Sequence, residues 1–133
     1  MKQNFGAEHL RVTGNEIKEG GYPDTGSGLY SKNLSYEQWY QFNSAQRSHM
    51  NYVEWIASCL AFLLIGGVYF PIPAASVGLG VVIFRFIYAI GYTSNGPTGR
   101  LVGALGNDIL VLAQFVLAVI SSVYFIKGDS MPN

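Results

Sequence analysis

Between Trp55 and Ile126 the chain carries only three ionic side chains, Arg85, Arg100 and Asp108, in seventy-two residues. The other thirteen Lys, Arg, Asp and Glu residues lie in the first fifty-four positions or after Ile126. A water-soluble domain of this size spreads charge over its whole surface. Apolar runs of about 18 residues or more read instead as membrane-spanning helices. The chain therefore reads as an all-α, polytopic membrane helical bundle. Its chemistry must rest on the few polar groups held within or beside the bilayer.

With 133 residues and a formal net charge of zero, the chain reads as one domain without a nucleic-acid partner. Cys59 is the single cysteine, so no intramolecular disulfide is expected. In the middle of an apolar run, its role is that of a packed small side chain. Residues 1–51 show neither the apolar core of a secretory signal nor the acid-poor look of a transit peptide. No cluster with metal-ligand spacing is present. His49 stands alone and reads as a simple hydrogen-bonding residue.

Residues 1–34 form an irregular polar N-terminal arm, rich in Gly, Asn and Ser, with the turn-forming string "EGGYPDTGSG". Alone in water, that composition favours disorder. Residues 35–133 form the transmembrane domain. A helix is expected to start at Ser35, with Gln38 closing a capping box, and to run without proline to about Phe70. Its length of about 50 Å exceeds a hydrocarbon core of about 30 Å. The polar, aromatic half (36–51) then lies in headgroups or water, and 52–70 forms the first span. Pro71 and Pro73 break the helix into a short turn. The second span is 74–92, "TSNGPTGR" (93–100) is a polar loop, and 101–126 is the third span. Three spans put the arm and this loop on one side, together with most of the Lys and Arg residues. The positive-inside rule assigns that side to the cytosol or a mitochondrial matrix. Small residues recurring in the spans (Gly66, Gly67, Ala75, Gly78, Gly80, Gly91, Gly103, Gly106) favour close helix packing in lipid.

Arg47, Asn51 and Glu54 are four and three residues apart and share one helical face. Arg85, Tyr88 and Tyr92 repeat the pattern on the second span, and the loop adds Arg100. If the two helices are antiparallel neighbours, Glu54 faces Tyr88 and Tyr92. Guanidinium, carboxylate, amide and phenol groups then meet at one membrane face, a site suited to a charged, peptide-like ligand with an apolar co-substrate entering from lipid. The simpler alternative is structural: Arg85 is expected to pair with Glu54 or Asp108, because an ion inside a membrane needs a partner.

The strings "FNSAQRSHMNYVEW", "FRFIYAIGY" and "GALG" resemble the MAPEG family, the membrane-associated proteins in eicosanoid and glutathione metabolism, and most of all the type-three microsomal glutathione S-transferases. The resemblance covers about Tyr30 to Lys127. It implies a helical bundle that trimerises in its enzymatic members and binds glutathione at subunit interfaces. By position, Arg47, Asn51 and Glu54 would hold the charged ends of glutathione, or of a lipid headgroup, and Tyr88 and Tyr92 would line the pocket. Arg100 would be the thiolate-stabilising catalytic arginine, since a guanidinium beside a thiol raises its thiolate fraction. Two departures stand out. The span that precedes this motif in family members has no counterpart, and the polar arm takes its place. The proline usual beyond the motif glutamate is also missing at 56–58, and Trp55 stands where some relatives have Tyr.

Two functions follow. The arm in place of a first span favours a non-catalytic accessory subunit of a larger membrane assembly, a mitochondrial respiratory complex in the inner membrane, with the arm lying on other subunits and lipid around the spans. The retained polar residues favour the alternative, a glutathione transferase or peroxidase acting on lipophilic substrates. That enzyme would use glutathione as cofactor, form a homotrimer, and reside in the endoplasmic reticulum or outer mitochondrial membrane.

Overall fold

A computed structural model describes residues 2–17, 25 and 28–128. These hold the helices α1 (Lys2–Thr13), α2 (Leu29–Lys32), α3 (Tyr36–Tyr69), α4 (Pro71–Gly99) and α5 (Leu101–Lys127), with no strand among the described residues. The chain divides into two compact units, Met1–Gln46 and Arg47–Asn133.

In the first unit the expected irregularity of the arm gives way to helix at α1. Its last turn has local partners: the Arg11 guanidinium donates to Glu8, and the Thr13 hydroxyl donates to the His9 carbonyl at 2.8 Å. Most of the turn-forming string "EGGYPDTGSG" lies outside the described residues. The capping box at the start of α3 forms as expected. The Gln38 amide donates to Ser35 Oγ at 3.3 Å, and the Ser35 amide donates to Gln38 Oε1 at 3.2 Å. Tyr36, Trp39 and Tyr40 cluster on the first turn, with ring centroids 5.8 Å and 6.4 Å from Tyr36.

Three helices are long and apolar enough to cross a membrane, α3, α4 and α5, and the second unit holds α4, α5 and α3 from Arg47 onward. Their large apolar side chains are mostly exposed, as lipid-facing residues are. Both connections are tighter than the sequence implies. Between α3 and α4 the turn expected over 71–73 shrinks to Phe70 (φ −126°, ψ 63°), and α4 begins at Pro71 itself. Proline suits a first helical position, where its missing N–H needs no partner. The polar loop expected over 93–100 is also mostly helical, interrupted at Gly96 (φ 66°, ψ −150°), and α5 follows directly after Arg100. That combination of angles belongs almost solely to glycine. Pro97 then starts the next turn.

Packing is closest between α4 and α5. A Cβ at Gly103 would overlap the Tyr88 backbone, and one at Gly106 would overlap the Phe84 ring. The small residues therefore set how near these two helices lie. The third helix, α3, meets α5 through larger groups. Phe62 packs edge-on to Phe115 at 5.3 Å, and Tyr69 and Phe70 pack on Tyr124 at 5.7 and 6.1 Å. At Gly66 the backbone of α3 lies close to α5, and there the Ser121 hydroxyl donates to the Gly66 carbonyl at 3.1 Å.

Candidate functional site

Of the polar residues singled out by spacing, Asn51, Arg85, Tyr88, Tyr92 and Arg100 come together in the second unit, near the end of α4 and the start of α5. Arg85 Nη1 donates to Asn51 Oδ1 at 2.7 Å, joining α4 to α3. The same guanidinium lies 5.5 Å from the ring centres of both Tyr52 and Tyr88. Arg100 sits 5.5 Å from the Tyr92 ring, and its Nη1 donates to the Tyr88 hydroxyl at 3.4 Å. Tyr88 and Tyr92, one turn apart on α4, have ring centres 5.9 Å apart and are each only 4 % exposed. Two cations and three phenols thus form one connected cluster. Aromatic faces carry negative potential, so each guanidinium is stabilised without a carboxylate.

One expectation fails. Arg85 pairs with neither Glu54 nor Asp108; among the described residues the one ion pair is Arg11 with Glu8. The reason is geometric. Of the face shared by Arg47, Asn51 and Glu54, the central residue Asn51 is the one that meets α4. A neutral amide therefore takes the guanidinium, aided by the Tyr52 and Tyr88 rings. Glu54 and Arg47 remain exposed on either side of it, with no hydrogen bond to another described residue. The expected meeting of Glu54 with Tyr88 and Tyr92 is likewise replaced by that of Asn51 and Tyr52 with Arg85. Asp108 is exposed on α5 and joins no part of the cluster.

Spacing missed Tyr52. It adjoins Asn51 in sequence and lies off the i, i+4, i+7 face, so only the position of Arg85 reveals it. Spacing also missed Asn107, Gln114 and Ser121, all buried on α5. A readable signal existed there, since polar residues seven apart in the most apolar span lie on one helical face.

Chemically, Arg85 is committed to its three neighbours, whereas Arg100 makes one long hydrogen bond and keeps donors to spare. Arg47 and Glu54 are uncommitted. The open groups are therefore Arg100, which borders the buried phenols, and Arg47 and Glu54, exposed on α3 to either side of Asn51. They complement a ligand that carries carboxylates together with an ammonium.

The MAPEG family model matches residues 10–120, which is most of the chain, and the protein belongs to that family. No solved structure gives a significant match to it.

Proposed function

We propose that this MAPEG-family membrane protein binds glutathione at the Arg47, Asn51, Glu54, Tyr88, Tyr92 and Arg100 cluster, and that it acts as a transferase or peroxidase on lipophilic substrates. The observation that carries this reading is the partner of Arg85. Had Arg85 neutralised Glu54, the polar residues would have been accounted for as structural ion pairing. Its bond to Asn51 instead leaves Glu54 and Arg47 available to a ligand. Glutathione fits that donor set: a carboxylate matches Arg47, its ammonium matches Glu54, and its thiol is left to Arg100. When bound, it supplies a thiol whose thiolate attacks an electrophile or reduces a hydroperoxide.

The chain's own residues supply the setting. Arg85 holds α3 against α4 through Asn51 and so fixes the spacing between Arg47 and the phenols. Arg100, cradled by Tyr92 and Tyr88, offers a cation beside the site; a nearby positive charge favours a thiolate over a thiol. Tyr88 and Tyr92 exclude water, which strengthens each electrostatic contact. The exposed apolar flanks of the helices give a membrane-dissolved substrate its approach.

The test uses the purified full chain in lipid nanodiscs. Glutathione binding is measured by calorimetry, and turnover with an aryl halide and with a lipid hydroperoxide. Arg100→Met should retain binding and lose most turnover. A folded wild-type protein with neither binding nor turnover would sink the reading. Comigration of that protein with a mitochondrial respiratory complex on native gels would then favour the accessory-subunit role.

A further inference from the structure

The buried face of α5 carries a polar side chain every seven residues: Asn107, Gln114 and Ser121, at 4 %, 2 % and 2 % exposed. The Ser121 hydroxyl is satisfied by the Gly66 carbonyl. The carbonyl oxygens of the other two, Asn107 Oδ1 and Gln114 Oε1, meet no donor among the described residues. Within a bilayer such an acceptor has no bulk water to fall back on, and leaving it unmatched is costly. Apolar residues occupy intervening positions of the same face, Val111 and Ala118, so the seam does not require polarity for its shape.

Burial restricts what can satisfy these oxygens. Side chains this enclosed are beyond the reach of a lipid headgroup or of another protein's side chain, so the occupant must be very small and must donate. Both acceptors are neutral amides and no carboxylate shares the buried face, which gives a metal cation nothing to balance its charge. Opposite Gln114, α4 has Gly78; a methyl at that position would lie 3.6 Å from Gln114 Nε2 but 2.9 Å from Leu63 Cδ1, so the surroundings admit nothing larger than a very small molecule. Water is small enough and carries two donors, and buried waters characteristically bridge otherwise unsatisfied polar groups.

We propose that α5 holds bound water at Gln114 and at Asn107, making a hydrated polar seam inside the transmembrane bundle that ends at the dry Ser121–Gly66 contact. Each water donates one hydrogen to the amide oxygen and the other to a backbone carbonyl of a neighbouring helix. The seam is independent of glutathione and stands whether or not the site above binds it.

The experiment is water-edited NMR on the full chain in lipid nanodiscs, with Asn, Gln, Val and Ala labelled. Gln114→Met and Asn107→Leu assign the two side-chain signals, and Gln114→Asn serves if the Met variant does not fold. Magnetisation from water should reach the side-chain amides of Gln114 and Asn107 but not the backbone amides of Val111 and Ala118 on the same face. Gln114→Met should leave the unfolding temperature unchanged or lower it. Dry signals at both side chains overturn the proposal, as does a clear rise in the unfolding temperature of the Met variant, which is the behaviour of an unmatched acceptor removed.

Discussion

Within the second unit, the α4–α5 pair and the part of α3 from Arg47 onward are built on opposite terms. Between α4 and α5 the backbones themselves touch, because Gly103 has no side chain to hold Tyr88 away. Apart from Gly66, α3 meets its neighbours through side-chain tips: Asn51 on Arg85, Phe62 on Phe115, Tyr69 on Tyr124. The first arrangement tolerates no added atom. The second leaves Arg47 and Glu54 exposed. In this molecule the rigid pair presents the phenols and Arg100, while the less committed helix supplies the groups free to meet a ligand.

The sharpest test of that contrast is Gly103→Ala. A Cβ there overlaps the Tyr88 backbone, which cannot move alone, so stability should fall by about 3 kcal/mol, at the upper end for overpacking. Thermal unfolding in detergent or nanodiscs measures it, and glutathione binding should weaken in parallel because Tyr88 is displaced.

Next in size is Arg47→Ala, where stability and binding should separate. Arg47 has no hydrogen-bonded partner among the described residues, so unfolding should shift by less than about 0.5 kcal/mol. Loss of a charged hydrogen bond worth about 1.5–3 kcal/mol should weaken glutathione binding roughly 10- to 100-fold. An unfolding change as large as that of Gly103→Ala would break the comparison, because Arg47 would then be holding the fold.

A double-mutant cycle with Asn51→Leu and Arg85→Met should give a coupling of about 1 kcal/mol, the ordinary worth of one hydrogen bond. A coupling near zero would mean that α3 is held at this end by the Tyr52 ring alone.

The smallest effect is expected at Gly66, where the backbone of α3 lies close to α5. An added Cβ would lie 3.1 Å from Leu117 Cβ and 3.3 Å from the Ala118 nitrogen, tight contacts that a small shift relieves. The gain of alanine over glycine in a helix offsets part of the strain. Gly66→Ala should therefore change stability by less than about 1 kcal/mol. A loss matching that of Gly103→Ala would place both interfaces in one class.

Local chemistry made much of this readable in advance. The capping box at Ser35 and Gln38 needs only residues three apart, and the extent of α3 follows from the absence of proline up to Pro71. The connections were less legible. Pro71 and Pro97 look like helix breakers in a string of letters, yet each begins a helical turn and the reversals rest on Phe70 and Gly96. The helix at α1 was hidden by composition, since its stabilising contacts are a few local bonds such as Arg11 with Glu8. At the site, helical spacing identified Arg47, Asn51 and Glu54 as one face and Arg85, Tyr88 and Tyr92 as another. It could not say which member of the first face would meet the second.

The sequence by itself determined that this is a three-span helical membrane protein of the MAPEG family, because charge depletion, helix length and the motif residues are local properties of the chain. Only the tertiary structure decided that Arg85 takes Asn51 and the Tyr52 and Tyr88 rings rather than a carboxylate, that Gly103 presses on Tyr88, and that Asn107 and Gln114 turn inward. Those outcomes depend on the rotation and depth of each helix against its neighbours. Both are set by which small residues let two backbones approach, a relation between distant positions that no single stretch of sequence contains.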